Sequence, residues 1–234
     1  AGGNVLEDFA VSRAERNLKS LTDRAPRIAH RYTGGSLVDI EVEQVAAHDR
    51  LLQDADDVAE WLAVSLRHGF LWNDAVLLCE AHRAAGQAER LTKTAALAVA
   101  LAGSRERYAE TLALGAAFVA AAGAWTVPGD EALPPEMPLP VAFGAIAASH
   151  GIGLEVACQG YLHAQVSQYI SAAIRLSLAG QVAGLAVLSG LEDPILEQAA
   201  RAAVSTPDEL GGCTFSADIA ALRHETQHSR LFRS

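Results

Sequence analysis

His224, Glu225 and His228 form the one pattern in this chain that is typical of an enzyme. Their H-E-x-x-H spacing is that of zinc peptidases, in which two histidines on one helical face bind the ion and the glutamate acts as general base. A peptidase site needs a third protein ligand, and only Ser229 to Ser234 follow the motif. The alternative is a polar helix end whose two histidines form a weak surface site for zinc or nickel.

Catalytic motifs of other enzyme classes do not occur in the sequence. It contains no G-x-S-x-G nucleophile elbow, no G-x-x-x-x-G-K-S/T phosphate loop and no G-x-G-x-x-G turn after a strand. Cys79, Cys158 and Cys213 lie far apart without a C-x-x-C pair, which argues against a thiolate zinc site and a disulfide framework. We therefore expect a protein that does no chemistry of its own and carries no cofactor.

Composition and charge narrow the classes of partner. Half of the 234 residues are hydrophobic, which is enough for a substantial core and excludes disorder as a description of the whole chain. The formal net charge of -10 disfavours a nucleic acid partner, since no cluster of lysine and arginine offsets it. No charged-then-apolar leader segment is visible and cysteines are few, so we expect a cytoplasmic protein.

The longest stretch without a charged residue, Thr111 to Gly129, is long enough to raise the question of a membrane span. Alanine and glycine dominate it, large apolar side chains are few, and a proline lies near its end. We expect a close-packed buried helix there, and no membrane partner.

Helical periodicity dominates the rest of the chain. The clearest helix runs from Asp54, its expected N-cap, to His68, because residues 58, 61, 62, 65 and 66 fall on one face. A second helix is expected to start at Asn73 or Asp74, with Gly86 as its C-cap. Further helices are predicted over Glu89–Ala102, Ser104–Ala122, Val141–Ser149, Leu154–Leu178, Val182–Leu191, Asp193–Val204 and Phe215–Phe232. The predicted class is all-α, with about ten helices in one bundle.

Residues 36–45 are the exception to this pattern. Val38, Ile40 and Val42 alternate with acidic residues, which is the periodicity of a strand. No partner strand is evident, so the all-α class is retained. A second break is the segment 126–140, which holds five of the eight prolines and is predicted to be a loop.

Five segments together resemble the urease accessory protein UreF family. The carboxyl-terminal "GGCTFSADIAALRHETQHSRLFRS" is the most specific, and "YLHAQVSQYISAAIRLSLAGQ" resembles the family's helix and following turn, with Arg175, Leu176, Gly180 and Gln181 at the matching positions. The segments "LPVAFGAIAASHGIGLE", "SRERYAETLALGAAF" and "WNDAVLLCEAHRAA" are also comparable to family segments. The resemblance covers residues 53–234.

Two departures from the family pattern are visible. The second histidine of the H-E-x-x-H pattern is usually tyrosine in the family, so His228 reads as a single change in a non-catalytic tail. The family's Pro-x-Gly-x-Phe-Ser-x-Ser-x-Gly-Leu-Glu segment is replaced by "YTGGSLVDIEVE", in which Gly34 and Gly35 stand for the glycine turn and Glu43 for the family's glutamate. We therefore divide the chain into a divergent segment, 1–31, and a UreF-like all-α domain, 32–234.

The resemblance implies a function in urease maturation. UreF-like proteins are homodimeric, non-enzymatic chaperones for nickel insertion that bind UreD/UreH, recruit the GTPase UreG and engage apo-urease, coupling GTP hydrolysis to metal delivery. In the family, the positions of Glu43 and Arg175 are associated with a water-filled nickel passage at the dimer, and we expect both residues to line it. The alternative for Arg175, a charge within an apolar helix, is a snorkelling side chain.

The last residues are the expected docking segment for UreD/UreH. Leu231 and Phe232 lie between Arg230 and Arg233, an apolar anchor between two cations, which is typical of interface hot spots. The alternative is a frayed terminus without a role. Two other functions stay open at this point: a zinc metallopeptidase, and a helical interaction scaffold that has lost its urease function.

Overall fold

The computed structural model describes residues 28–33, 36–41, 52–125, 133–134 and 136–212. The chain divides into two units, residues 1–51 and residues 52–234. Glu43, His224, Glu225 and His228 lie outside the described residues, as does the docking segment Arg230–Arg233.

A β-hairpin is described in the first unit. Strand β1, Ile28–Thr33, pairs antiparallel with strand β2, Ser36–Glu41, in a register that places Ile28 opposite Glu41 and Thr33 opposite Ser36. The strand periodicity is confirmed over residues 36–41. The expectation that this strand has no partner is wrong, because the partner precedes it by two residues.

Eight α-helices are described in the second unit, and the all-α class is confirmed. They are α1 (Ala55–His68), α2 (Phe70–Arg83), α3 (Ala88–Ala100), α4 (Arg105–Ala122), α5 (Leu139–Ser149), α6 (Leu154–Arg175), α7 (Gln181–Gly190) and α8 (Glu192–Val204). Single 3-10 turns follow α4 and α8, at Gly123–Trp125 and Pro207–Glu209. The helix predicted over Phe215–Phe232 lies outside the described residues.

Helix α1 begins as local sequence rules require. Oδ1 of Asp54 accepts hydrogen bonds of 3.0 Å from the backbone N–H groups of Asp56 and Asp57, which satisfies two donors that the helix itself cannot. The predicted apolar face, including Val58, Leu62 and Leu66, is buried. The predicted N-cap and core face of this helix are therefore confirmed.

Helix α2 begins three or four residues earlier than predicted. It starts at Phe70, so Gly69 alone separates it from α1, and it ends at Arg83. Gly86 has the positive φ of 75° expected of a glycine after a helix, but it lies beyond the C-cap, Ala84. Asn73 and Asp74 thus lie within the helix, where their side chains are available for contacts with other parts of the fold.

The core is built around α2. Most of its residues are buried, and it packs against α1, α3, α5, α6 and α8. One apolar cluster joins α2 to α1, α6, α7 and α8, and a second joins it to α3 and α5. Helices α2 and α5 approach closely, and a Cβ atom added to Gly144 would collide with the carbonyl oxygen of Leu78. Glycine permits this close packing of two backbones.

Helix α4 is far less buried than its sequence suggested. Arg105–Trp125 is long and apolar enough to cross a membrane by length and composition, with a mean hydropathy of 1.2, but only 11% of the apolar stretch is buried. Thr111 and Gly115 are the buried residues of α4, and Trp125 is 69% exposed. The expectation of a close-packed buried helix is wrong for this chain by itself, because small alanines give high hydropathy while offering little apolar area to bury.

Candidate functional site

The described residues contain one of the six residues predicted to form functional sites. Arg175 is the last residue of α6, and it is exposed. The helix was predicted to extend to Leu178, which would place Arg175 within it, but the helix ends at Arg175, where a cation is favourable. Its predicted place in a nickel passage stays a prediction.

A buried polar cluster joins three helices at the centre of the second unit. Asp74 on α2 accepts through Oδ2 a hydrogen bond of 2.5 Å from Nη2 of Arg107 on α4, and another of 2.8 Å from the hydroxyl of Tyr161 on α6. Asp74 is 7% exposed and Tyr161 is 2% exposed. Buried charges persist only when they are paired and hydrogen-bonded, and this carboxylate satisfies both conditions.

The guanidinium group of Arg107 has further partners. Nη1 lies 3.2 Å from Oε2 of Glu110, one turn along α4, and the guanidinium carbon lies 5.1 Å from the centre of the Phe70 ring. Burial by itself would lower the pKa of Arg107, but the charge of Asp74, together with Tyr169, Tyr161 and Glu110, raises this pKa well above its ordinary value. Arg107 is therefore a permanent cation between two carboxylates and an aromatic ring.

The chemistry open to this cluster is limited. Burial and the adjacent Asp74 carboxylate raise the pKa of Tyr161 well above its ordinary value, so the hydroxyl stays protonated at neutral pH. A general acid or base works best with a pKa near the working pH, and the pKa of Tyr161 has been raised away from that range. The cluster is suited to clamping α2, α4 and α6 together.

Two cysteines that lie far apart in the sequence meet in the fold. Cys79 on α2 and Cys158 on α6 are both fully buried free thiols. The hydrogen bond between them lowers the pKa of Cys79 and raises that of Cys158, for which burial adds to the shift. No group of three or more potential metal ligands of the His, Cys, Asp and Glu types occurs within the described part of the chain, so this pair has two ligands at most from that set.

The segment after α8 is fastened along α2. We name residues Ser205–Gly212 the strap. The guanidinium group of Arg83 donates to the carbonyl oxygens of Ala202, Ala203 and Ser205 at 3.4, 2.7 and 3.1 Å, which satisfies the end of α8 and the start of the strap. A reciprocal capping box between Thr206 and Glu209 shapes its 3-10 turn.

Trp72 holds the middle of the strap. Its indole Nε1 donates a hydrogen bond of 3.0 Å to the carbonyl oxygen of Glu209, while the guanidinium group of Arg201 lies 3.9 Å from the ring centre. Leu210 packs against both apolar clusters. Trp72 therefore links α2, α8 and the strap.

The far end of the strap lies at the junction of α1 and α2. Oδ1 of Asn73 accepts a hydrogen bond of 2.9 Å from the backbone N–H of Gly211. A Cβ atom added to Gly212 would lie 3.3 Å from the carbonyl oxygen of His68 and 3.9 Å from Cα of Gly69. We name His68, Gly69 and Asn73 the α1–α2 corner, because the strap ends against them.

Sequence reasoning missed these contacts for a specific reason. The sequence predicts that the second helix starts at Asn73 or Asp74, because both residue types favour helix N-termini. In the fold, their side chains contact residues 138 and 33 positions away, Gly211 and Arg107. One signal was available in the sequence: Asn73 and Asp74 lie between two apolar segments, 70–72 and 75–79, which belong to a single helix.

These features define an all-α second unit whose helices are joined by a buried ion pair and whose strap, after α8, is fixed to α2. The family model UreF matches residues 52–192. The chain belongs to the UreF family of urease accessory proteins.

Curated relatives agree over most of the chain. The urease accessory protein UreF of Rhizobium etli strain CIAT 652 is 54% identical over 203 residues, covering 87% of this chain and 88% of the relative. That of Agrobacterium fabrum is 53% identical over 189 residues, covering 81% and 85%. Another strain of Rhizobium etli, CFN 42, has a UreF that is 48% identical over 230 residues, covering 98% of this chain and 100% of the relative. That alignment extends into residues 1–31, so the segment that matched no family pattern has a counterpart in at least one UreF.

Proposed function

We propose that this chain is a non-enzymatic, cytoplasmic chaperone of urease maturation. It acts as a helical scaffold that binds UreD/UreH, recruits the GTPase UreG and couples GTP hydrolysis to nickel insertion into apo-urease. The observation that carries the proposal is membership of the UreF family, whose curated relatives are named urease accessory proteins. The lack of a phosphate loop in the sequence fits a scheme in which the partner does the nucleotide chemistry.

The scaffold is proposed to work as a homodimer. Several apolar side chains of the described residues are exposed, among them Val182 and Leu185 on α7, at 83% and 60%, and Tyr108 on α4, at 44%. The 3-10 turn after α4 adds Trp125. Exposed apolar surface of this kind favours association, and a second copy of the chain would cover part of it.

Two sets of residues are proposed to carry the function. Arg230, Leu231, Phe232 and Arg233 dock onto UreD/UreH, with the two apolar side chains as the anchor. Glu43 and Arg175 line the passage for nickel. The exposed position of Arg175 at the end of α6 leaves its side chain accessible to a second copy or to water.

The docking proposal is tested by deleting Ser229–Ser234 from the full chain. We expect the deletion to abolish the complex with UreD/UreH in size-exclusion chromatography with light scattering, while circular dichroism shows unchanged helix content. A matched pair refines the test: Phe232→Ala should weaken binding strongly, whereas Val204→Ala, at an apolar residue that is 82% exposed on α8, should not. Binding of the truncated chain with wild-type affinity would rule out the docking role.

The function as a whole is tested by assembly and by complementation. We expect the wild-type chain to form a defined complex with UreD/UreH that contains two copies of this chain, and to add UreG when nucleotide is present. Expression in a cell that lacks its own UreF should restore urease activity. A folded chain that assembles with neither partner, and restores no activity, would contradict the proposal.

A further inference from the structure

We propose that Asn73 is a positioning residue for partner docking: by holding the strap against the α1–α2 corner, it fixes the point from which the carboxyl-terminal tail, residues 213–234, begins. This inference rests on the proposed function, in which the end of that tail docks onto UreD/UreH. It assigns a role to a side chain near the surface of α2, far in sequence from the docking segment.

The contacts of the strap differ in what they fasten. Arg83 donates hydrogen bonds to carbonyl oxygens at the end of α8, and Trp72 donates one to the carbonyl oxygen of Glu209. Both side chains therefore contact residues that precede Gly211 in the sequence. Asn73 binds the N–H of Gly211, which is followed by one more described residue before the tail. Asn73 is thus the anchor that determines where the tail starts.

The backbone at Gly211 and Gly212 keeps a single conformation only while Asn73 binds it. Gly211 has a φ of 155°, a conformation that side-chain-bearing residues rarely adopt, and Gly212 passes close to the carbonyl oxygen of His68. Two successive glycines have the greatest conformational freedom of any dipeptide, so an external contact is needed to hold one geometry. The hydrogen bond from Gly211 to Asn73 supplies such a contact.

Fixing the start of the tail should matter for affinity. A segment that folds or orders upon binding must lose conformational freedom, and any part that is already held reduces that loss. Release of the strap from Asn73 would give the residues around Gly211 conformational freedom that binding through residues 230–233 must then remove. Binding by the tail is then expected to weaken even though every docking side chain is intact.

Asn73 offers a matched pair of substitutions. Asn73→Ala removes the acceptor oxygen, whereas Asn73→Asp retains an oxygen at the same position and can still accept from the Gly211 N–H. The affinity of the full chain for UreD/UreH should fall by about three- to tenfold in Asn73→Ala, the size expected for one hydrogen bond. Asn73→Asp should bind within about twofold of wild type, since the bond is retained.

A general loss of stability is separated from positioning by a third variant. Ser104→Ala removes the N-cap of α4, whose Oγ accepts a hydrogen bond of 3.1 Å from the N–H of Arg107, and lowers the melting temperature without touching the strap. It should bind UreD/UreH with wild-type affinity. Hydrogen exchange in the isolated chain gives a direct readout, because the Gly211 amide should exchange faster in Asn73→Ala than in Asn73→Asp.

The outcomes distinguish the inference from the function on which it rests. Weaker binding by Asn73→Ala, with normal binding by Asn73→Asp and Ser104→Ala, would support positioning. Wild-type affinity in Asn73→Ala, or equal losses in Asn73→Ala and Ser104→Ala, would overturn it while leaving the docking function intact. If the wild-type chain itself does not bind UreD/UreH, the proposed function fails and this inference fails with it.

Discussion

The hydroxyl of Tyr161 and the guanidinium group of Arg107 share a single acceptor, Oδ2 of Asp74, at 2.8 and 2.5 Å. Because the three residues come from α6, α4 and α2, one buried carboxylate oxygen connects three helices. Helix α4 also packs against α5, where Phe118 stacks on Phe143, so this polar contact is one of the interactions that hold α4 in place. The stability of the fold should therefore depend on the charge and protonation of this cluster.

The first prediction concerns the alkaline limit of stability. The pKa of Tyr161 is raised by burial and by Asp74, so the folded protein keeps this proton at a pH where the unfolded chain, with a tyrosine pKa of about 10, loses it. The folded state then binds more protons, and stability falls as pH rises above about 10, by up to about 1.4 kcal/mol per pH unit for each such tyrosine. Tyr161→Phe should reduce this slope, which urea unfolding between pH 7 and 11 measures.

A residual slope is expected in that variant. Burial also raises the pKa of Tyr169, so this second tyrosine continues to destabilise the fold at high pH. At pH 7, Tyr161→Phe should cost about 1–2 kcal/mol through the lost hydrogen bond. Tyr108→Phe is the control, since Tyr108 is 44% exposed. A slope in Tyr161→Phe as steep as that of the wild type would contradict the assignment.

The second prediction concerns the ion pair. Asp74→Asn leaves Arg107 without its main counter-charge in a position where the arginine side chain is 20% exposed, and should lower the free energy of unfolding by about 2–4 kcal/mol. In a double-mutant cycle with Arg107→Met, the combined loss should be smaller than the sum of the single losses. Lys93→Ala is the control, because Lys93 and Glu89 form an exposed pair on α3 that contributes little. Additive losses would show that the two residues do not interact.

The third prediction concerns the approach of α5 to α2. Gly144→Ala would place a methyl group against the carbonyl oxygen of Leu78, and should destabilise the fold by about 1–3 kcal/mol despite the better helix propensity of alanine. The matched control is Gly160→Ala in α6, where an added Cβ meets nothing within 4 Å. That variant should be more stable by about 0.5–1 kcal/mol. Thermal unfolding of both variants measures the difference, and equal effects would contradict the predicted contact.

The fourth prediction concerns the nickel passage. Arg175→Ala should reduce the activation of urease while the complex with UreD/UreH and UreG still assembles, since Arg175 is proposed to line the passage without holding the scaffold together. Arg175→Lys, which retains the charge, should keep most of the activity. Arg67→Ala is a suitable control, because Arg67 is an exposed arginine in the last turn of α1. Normal activation by Arg175→Ala would exclude its role in the passage.

Elements governed by local rules could be predicted from the sequence. In α1, an aspartate cap and a continuous apolar face determine the same helix, and both are found in the structure. The strand at 36–41 was also visible from its alternation. Its partner was missed because Ile28–Thr33 has no clear alternation of apolar and polar residues, although the intervening Gly34-Gly35 pair is a typical hairpin signal.

Contacts between distant residues could not be predicted in this way. Asparagine is a residue type that often caps a helix, but the side chain of Asn73 binds the strap instead. No periodicity in the sequence connects residue 73 with residue 211. The exposure of α4 could not be predicted either, because the sequence pattern of this helix is ambiguous. Its alanine-rich sequence fits a buried or an exposed helix equally well, and only the packing of the chain decides between them.

The strap also has a consequence for biosynthesis. Side chains of α2 bind groups that lie between 119 and 138 residues later in the chain, so the full set of contacts cannot form until residue 211 has left the ribosome. Contacts of such long sequence separation slow folding, because a large loop must close before they stabilise the product. A nascent chain interrupted before residue 202 would leave the indole group of Trp72 and the guanidinium group of Arg83 without these acceptors. Translation of α8 and the strap is therefore required before the side chains of α2 can complete these contacts.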